Sequence, residues 1–388
     1  MKDRLRDLVA SGLCRLLRAR FAPNQKPSDL GSCRAILVLK LDALGDFVLM
    51  TPFLRELRRA APQAFISLVT LRTAQSLAST CPYVDEFAEL PLDQRPRRCG
   101  SLQLMGRYSR FLRTSLSRRS YDLAIIPRTG PDNHHARLLA YLSGARERVG
   151  FASARTPIPS HAALTHTLPD PALHEVEANL SLLCDLGVSV QSNKLELQCP
   201  EEAQRQLASL VTSEGLDLNE PFVALGVGAS LAHKRWPAEH YTQLADWFVR
   251  TKGWKAVILG DDQDRAAFPA PAPGVLVLAG RLSPNQSFAL LHRASLFVGN
   301  DSGAMHLAAA AGCPSIVVLP KSPDHRDSTD PNAFFRFAPF GVPYATVFPD
   351  PGRPDDVAHV SFAKTRSTVE QFWETTGHGR RNASALRP

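Results

Sequence analysis

Short apolar runs alternate along most of the chain with longer stretches in which apolar residues recur at helical spacing. The apolar runs are "AILVLKL", "AFISLVT" and "YDLAIIP" in the first half, and "PFVALGVG", "KAVILG", "VLVLAG", "LFVGN" and "PSIVVL" in the second. Continuous apolar runs of this kind are typical of strands that are buried on both faces of a parallel sheet. Their alternation with helices predicts α/β domains.

A polar connection, "VSVQSNKLELQCPEEAQ", interrupts this alternation near the middle of the chain. We therefore expect two doubly wound, Rossmann-like domains, over residues 31–195 and 196–345, which suits a chain of 388 residues. Segment 1–30 precedes them, and a C-terminal helix with a polar tail follows over 346–388. Ligands of open α/β sheets bind at the carboxyl ends of the strands, so the cleft between two such domains is the expected site.

Segment 1–30 predicts a basic amphipathic helix, with leucines on one face and lysines and arginines on the other. Such a helix can lie on an anionic membrane surface or dock on its own domain, and the sequence leaves both alternatives open. Stretch 94–120 is also basic, and it forms either a solvated helix and loop or a contact with an anionic acceptor or membrane. The formal charge of the whole chain, +8, suits an anionic partner.

Composition excludes several classes of protein. The seven cysteines form no CxxC pair, which argues against a disulfide framework or a zinc site. No apolar run is long enough for a membrane-spanning helix, and the start of the chain lacks the apolar core of a secretory signal. We therefore expect a cytoplasmic protein. The sequence lacks the GxGxxG of an NAD-dependent oxidoreductase and the motifs of a nucleic-acid-binding protein.

Three strand-to-helix turns carry candidate chemistry. In "KLDALGD", residues 40–46, Gly45 permits close approach of a ligand, and Asp46 is either a helix cap or a general base. In "GVGASLAHKRWPAEHY", residues 226–241, Ser230 and Lys234 can meet a phosphate, although the Walker A pattern is absent and an ordinary exposed loop is the alternative.

The third turn, "GNDSGAMHLAAAAG" at residues 299–312, begins a helix at Asp301 or Ser302. Gly303 leaves the first helical turn open, so that its N–H groups form an anion site. His306 lies one turn further on the same face, which favours a functional role over a structural one.

Weaker signals come from three other loops. Leu282 in "LAGRLS" can pack on a nucleotide base or belong to a plain turn, and one of the three aspartates of "LGDDQDR" can bind ribose, with Asp264 as our choice. Around the third N-terminal strand, Arg128 and Arg148 can contact an anionic acceptor, with surface solvation as the alternative.

Together and in this order, these motifs resemble glycosyltransferase family 9, the ADP-heptose:lipopolysaccharide heptosyltransferases and their relatives. The likeness spans about residues 34–345 and is most specific in the third turn. It implies a GT-B fold, with two Rossmann-like domains facing across a cleft. It also implies an inverting transfer, with the acceptor on the N-terminal domain and the nucleotide sugar on the C-terminal one.

The resemblance also implies a role for each candidate. Asp46 would deprotonate the acceptor hydroxyl, beside Gly45, and Lys234 would neutralise the departing diphosphate. The remaining donor contacts would be Ser230, Asp301, Ser302 and Gly303 for the phosphates, His306 for support of that end of the site, Leu282 for the adenine and Asp264 for the ribose.

The implied reaction moves heptose from ADP-heptose to a lipopolysaccharide core or a related surface glycan, without a required metal or other cofactor. The implied partners are the nucleotide sugar and an anionic glycolipid, met at the inner face of the cytoplasmic membrane, and no nucleic acid. Two alternatives stay open: a catalytically inactive nucleotide-sugar-binding module of the same fold, and a family member with a different donor sugar.

Overall fold

The computed structural model describes residues 29–90, 108, 110–116, 119–132, 134–152, 163–323, 330 and 333–376. Almost all of the predicted N-terminal segment, much of the basic stretch 94–120 and the polar C-terminal tail lie outside the described residues. The chain divides into two compact units. The first unit contains the described residues up to Gln198 and those within Arg326–Phe340, and the second contains Cys199–His325 and Gly341–Pro388.

The first unit is built on a parallel sheet of six strands, in the order β3-β2-β1-β4-β5-β6. Its strands are β1 (Ala35–Lys40), β2 (Phe65–Thr70), β3 (Glu86–Glu89), β4 (Leu123–Ile126), β5 (Glu147–Phe151) and β6 (His166–Leu168). Its α-helices are α1 (Leu44–Ala60), α2 (Gln75–Ala78), α3 (Ala136–Leu142) and α4 (Glu175–Asp185), with α10 (Phe334–Phe337) added by the later segment. Every residue of β1 is buried, as expected for a central strand.

The second unit repeats this plan with the strand order β12-β11-β10-β7-β8-β9, again all parallel. Its strands are β7 (Phe222–Gly226), β8 (Lys255–Leu259), β9 (Val275–Val277), β10 (Leu296–Asn300), β11 (Ser315–Val318) and β12 (Tyr344–Val347). Its α-helices are α5 (Glu201–Ser213), α6 (Ala238–Trp247), α7 (Asp262–Arg265), α8 (Pro284–Leu291), α9 (Gly303–Ala310) and α11 (Phe362–Thr375). A π-helical turn, Phe248–Lys252, extends α6.

Two parallel sheets flanked by helices confirm the predicted fold class. In each unit the first strand lies beside the strand of a later crossover, β1 beside β4 and β7 beside β10. The order of strands therefore reverses direction at these pairs, and the loops that leave them diverge at the carboxyl edge of the sheet. Such a switch point is where open α/β sheets bind their ligands.

The chain returns to the first unit late in the sequence. Arg336, fully buried, donates from Nη1 to Asp170 Oδ1 at 3.0 Å, and His174 Nε2 lies 3.0 Å from the carbonyl oxygen of Ala338. The sequence predicts this segment in the second domain and a domain boundary at 195/196, whereas in the structure the segment belongs to the first unit and the boundary lies at 198/199. Within the described ranges, no helix has the length and apolar character that a membrane crossing requires.

Candidate active site

Asp46 lies in the first turn of α1, directly after the loop that leaves β1. Its Oδ2 accepts a hydrogen bond from the Ala43 N–H at 3.1 Å, so it does cap the helix. The side chain is half-buried, and the preceding Gly45 is buried. A carboxylate is favoured at a helix N-terminus, which accounts for its position without yet giving it a function.

Lys40 ends β1 with a buried ammonium group beneath this turn. Its Nζ donates to the Pro127 carbonyl at 2.8 Å and to Glu175 Oε1 at 2.8 Å, and it lies 3.4 Å from Asp42 Oδ2. Because β4 pairs with β1, Pro127 comes to the same edge of the sheet. A buried lysine needs such partners, because an unpaired charge in the interior is costly.

Arg128 and Thr129, which follow β4, complete the cluster. Arg128 forms an ion pair with Asp42 through Nη1 and donates from Nε to the Pro131 carbonyl at 2.7 Å. Thr129 Oγ1 donates to Glu175 Oε2 at 2.9 Å. The structure therefore brings Arg128 into one charge cluster with the β1–α1 turn.

Burial raises the pKa of Asp46 to about 6, the largest effect on this carboxyl. The positive charge of Lys40 acts in the opposite direction, and the negative charge of Glu175 raises the pKa further. A carboxylate with a pKa near neutrality binds a proton well and is still largely ionised at pH 7. This is the property that a general base requires.

In the second unit, the loop after β7 meets the loop after β10. Lys234 Nζ lies 2.5 Å from Asp301 Oδ2, and both side chains are partly exposed. Buried Asn300 joins the two loops, since it accepts from the Trp236 N–H at 3.2 Å and donates to the Val227 carbonyl at 2.8 Å. The lysine is thereby held beside the beginning of α9.

The N-terminus of α9 has the features of an anion site. Ser302 is the N-cap in an extended conformation, but its side chain makes no capping hydrogen bond, and its Oγ is buried without a hydrogen-bond partner among the described residues. Gly303 is the first helical residue, and buried His306 follows one turn later. The free N–H groups and the helix dipole favour a negative charge here.

The structure favours a structural role for Asp264 over the expected ribose contact. Its carboxyl group is buried, pairs with Arg235 and accepts from the Asp261 N–H at 2.8 Å. A Cβ at Gly228 or at Gly260 would lie within 3 Å of Asp264 Oδ2, so the carboxyl fills the space between two loops. Asp262 is instead exposed, and it lies against Gly280, two residues before Leu282.

Arg148 also has a structural position. It is buried, and it donates from Nε to the Ala163 carbonyl and from Nη1 to the Ala145 carbonyl, both at 2.6 Å. The guanidinium group therefore ties β5 to its neighbouring loops. An acceptor contact, which the sequence suggested, would need these hydrogen bonds to be given up.

The other two donor candidates lie in loops at the carboxyl edge of the second sheet. Ser230 is exposed in the loop after β7, four residues before Lys234, and Leu282 is half-buried between β9 and α8. Among the described residues, no three or more His, Cys, Asp and Glu side chains are grouped so that they could hold a metal ion.

Lys40, Asp42 and Glu175 were not assigned a role from the sequence. A lysine that ends an otherwise apolar strand, "AILVLK", was the available signal for the first of them. Glu175 lies 135 positions from Lys40, so only the fold brings the two together.

The profile of "Glycosyltransferase family 9 (heptosyltransferase)" matches residues 109–328, which is more than half of the chain. The chain belongs to glycosyltransferase family 9. The lipopolysaccharide heptosyltransferase 2 of Salmonella typhimurium is 28% identical over 308 residues, which covers 74% of this chain and 84% of that protein.

Solved structures of the family have the same fold. The family 9 glycosyltransferase from Veillonella parvula superposes with a TM-score of 0.73 at 22% identity, over 90% of this chain and 99% of that one. The Escherichia coli heptosyltransferase WaaC with ADP-2-deoxy-2-fluoro heptose gives 0.63 at 18% identity, over 87% and 99%. The family 9 chain is therefore a glycosyltransferase with the GT-B fold.

Proposed function

We propose that this protein transfers heptose from ADP-heptose to a lipopolysaccharide core or a related surface glycan, with Asp46 as the general base. The observation that carries the proposal is the position of Asp46 in the β1–α1 turn with its pKa raised to about 6. Family membership supports glycosyl transfer, and the relative from Salmonella, named as a heptosyltransferase, supports the sugar.

In this mechanism Asp46 takes the proton of the acceptor hydroxyl while the oxygen of that hydroxyl attacks the anomeric carbon of the donor sugar. The bond from that carbon to the diphosphate breaks, ADP departs with the electron pair, and the configuration at the anomeric carbon inverts. A positioned general base typically accelerates such a step by about 10²–10⁴-fold.

The negative charge that develops on the departing diphosphate needs preorganised positive groups. We assign this role to Lys234 and the N-terminus of α9, where Gly303 leaves the N–H groups open and Ser302 Oγ is an additional donor. Lys234 is held beside this site by Asp301, with which the diphosphate would compete for the ammonium group. His306 supports this end of the site from within α9.

For the rest of the donor, Ser230 contributes a phosphate contact from its exposed loop, and Leu282 packs against the adenine. We assign the ribose contact to Asp262 in place of Asp264, because Asp262 is exposed and lies beside the Leu282 loop. On the acceptor side, Arg128 is the proposed anion contact, because it is partly exposed and lies in the cluster around the β1–α1 turn. The acceptor is an anionic glycolipid, met at the inner face of the cytoplasmic membrane.

The test is a thermal-shift panel with ADP, GDP, UDP, CMP and NAD on the wild type, Lys234→Ala and the control Lys252→Ala, an exposed lysine of the same unit. A ligand that binds the folded state raises the melting temperature by mass action. We expect stabilisation by ADP that is lost in Lys234→Ala and kept in Lys252→Ala. Stabilisation by UDP or GDP instead would contradict the ADP-linked donor.

Turnover is then measured with ADP-heptose and a lipopolysaccharide core acceptor. Asp46→Asn should bind ADP as the wild type does and lose about 10²–10⁴-fold in kcat. Wild-type protein that binds ADP but shows no turnover would favour the inactive nucleotide-sugar-binding module. Full activity in Asp46→Asn would remove Asp46 from the role of base.

A further inference from the structure

Two helices of the first unit begin at the same edge of the sheet, and each presents a carboxylate in its first turn. Asp46 is the third residue of α1, and Glu175 is the first residue of α4, which packs against α1. The N-terminus of each helix favours a negative charge. Two carboxylates near one another, however, raise each other's proton affinity unless a cation lies with them.

Lys40 supplies that cation, and Glu175 fixes its position. Glu175 divides its two oxygens between two strand ends: Oε1 accepts from Lys40 Nζ at 2.8 Å, and Oε2 accepts from Thr129 Oγ1 at 2.9 Å. Glu175, Lys40 and Thr129 are all buried. The carboxylate is thus held on both sides, and the ammonium it holds cannot turn away without leaving a buried charge unpaired.

We propose that Glu175 is a positioning residue for Asp46: by holding the Lys40 ammonium beneath the β1–α1 turn, it sets the proton affinity of the carboxylate that acts as base. This inference rests on the proposed function, because it assumes that Asp46 accepts a proton during turnover. It adds a residue from α4, far along the chain, to the control of that proton.

The charged groups at this edge of the sheet come from three places. Lys40 and Asp42 lie at the end of β1, and Arg128 and Asp132 lie in the loop after β4. Glu175, next to His174, lies at the start of α4. Asp42 is balanced by its ion pair with Arg128, and Asp132 accepts from the backbone N–H groups of Ala136 and Arg137 at the start of α3. Lys40 and Glu175 are thus the two charges with the largest opposing effects on the pKa of Asp46.

The two charges predict shifts of opposite sign. Glu175→Gln removes a negative charge but keeps a side-chain oxygen that can accept from Lys40 Nζ. The ammonium group therefore stays in place and is less neutralised, so the pKa of Asp46 should fall. Lys40→Met removes the positive charge, so the pKa should rise. A residue with a purely structural role would lower activity equally at every pH and would move the acidic limb of the pH–rate profile in neither direction.

The experiment measures kcat against pH for the wild type, Glu175→Gln, Glu175→Asp and Lys40→Met, with Glu177→Gln as the matched control. Glu177 carries the same side chain on the same helix but is exposed. We expect the acidic limb to move by about half a unit to one unit toward lower pH in Glu175→Gln and toward higher pH in Lys40→Met. It should stay in place in Glu177→Gln and near its wild-type position in Glu175→Asp, which keeps the charge.

A second measurement needs no turnover, and it covers the case in which Lys40→Met folds poorly. The melting temperature of each protein is compared with that of its Asp46→Asn derivative across pH 4–8. As the pH rises, this difference changes until the pH passes the pKa of Asp46 in the folded state, and it is constant above that pKa. That pKa should lie lower in the Glu175→Gln background than in the wild type.

The outcomes separate the two proposals. An unmoved limb in Glu175→Gln, with Asp46→Asn inactive, would overturn the positioning role and leave the proposed function standing. Full turnover in Asp46→Asn would overturn the proposed base, and the positioning role would fall with it. Shifts of opposite sign in Glu175→Gln and Lys40→Met, with Glu177→Gln unchanged, would establish the positioning role.

Discussion

The ionisation of the Asp46 carboxyl group is subject to opposing physical effects. The hydrogen bond from Ala43 and the charge of Lys40 favour its ionised form, while burial and Glu175 favour the protonated form, and burial is the largest effect. The ionised carboxylate, which is the form that the proposed reaction uses as a base, is therefore destabilised in the folded protein. A residue kept under such conditions indicates a functional use.

The raised pKa of Asp46 predicts how the stability of the folded protein depends on pH. The folded-state pKa of Asp46, about 6, lies above the ordinary value of 3.8, so the folded protein keeps a proton that the unfolded chain has released. The stability that this provides is present below pH 3.8 and is lost as the pH rises through 6. Asp46→Asn should therefore melt at a higher temperature than the wild type at pH 8, with a smaller difference at pH 4.

Thermal melts of both proteins at pH 4, 6 and 8 measure this effect. Asp85→Asn is not a suitable control, because Asp85 accepts from the Ile66 N–H and pairs with Arg58. Asp262→Asn is a better one, because Asp262 is exposed. An equal difference in melting temperature between wild type and Asp46→Asn at all three pH values would contradict the raised pKa.

Arg148 gives a second prediction at the scale of the residue. Arg148→Ala leaves two buried carbonyls without their donor, so the free energy of unfolding should fall by about 2–4 kcal/mol. Arg146→Ala, the neighbouring arginine with an exposed side chain, should change it by less than about 0.5 kcal/mol. Urea unfolding measures both, and equal stability of the two variants would show that the hydrogen bonds of Arg148 contribute little.

At this scale, the sequence predicts a residue well when its surroundings are local. Asp46 was placed correctly in the first turn of a helix, because the strand, glycine and acid follow one another in the chain. The contact of Glu175 with Lys40 could not be predicted, because the two residues lie 135 positions apart and only the fold brings them together. The partners of Arg148 are backbone carbonyls, and these could not be predicted because every residue carries a carbonyl.

At the scale of the elements, a single aromatic ring packs against the carboxyl ends of both β7 and β10. Phe297, fully buried in β10, lies over Gly226 of β7 and Gly299 of its own strand. A Cβ at Gly226 would lie 2.5 Å from Phe297 Cζ, closer than two non-bonded carbon atoms approach in proteins. The glycines thus let the ring pack beneath the loops that carry Lys234 and Asp301.

Gly226→Ala should therefore lower the free energy of unfolding by about 1–3 kcal/mol through overpacking. Phe297→Leu removes the end of the ring, so the double variant should be less destabilised than the sum of the two single changes, with a coupling of about 0.5–3 kcal/mol. Denaturant unfolding of the four proteins in this cycle gives the coupling. Strict additivity would mean that the backbone, and not the ring, accommodates the new methyl group.

The strands that the sequence predicts are those with continuous apolar runs, and they include β9, "VLV", at the edge of its sheet. Four strands were not predicted, because their residues carry too little apolar character: β3, β5, β6 and β12. Three of them, β3 with the sequence "EFAE" and the short strands β6 and β12, lie at the edges of their sheets. An edge strand is only partly covered, so it does not need the continuous apolar pattern of a buried strand. β5, "ERVGF", begins with two charged residues, Glu147 and the buried Arg148, so only its second half is apolar.

At the scale of the whole molecule, each unit has its own sheet and its own core. Donor binding should therefore change the hydrogen exchange of backbone amides mainly in one unit. In hydrogen exchange with ADP, we expect the largest gain of protection in peptides that cover 226–236 and 300–306. Binding orders the amides at a helix N-terminus and in its neighbouring loop, which slows their opening. The largest gain in the β1–α1 turn instead would place ADP in the first unit.

The return of residues 333–340 to the first unit has a consequence for anyone who recombines members of this family. A chimera made by a single crossover at 198/199 would keep the body of the first unit but receive its last piece from another parent. Arg336 would then be replaced by whatever the other parent carries opposite Asp170, and the carbonyl that meets His174 would belong to a foreign segment. His174 is the N-cap of α4, so the mismatch would fall next to Glu175. Shuffling the first unit of these enzymes therefore takes two grafts, one up to residue 198 and one over 326–340.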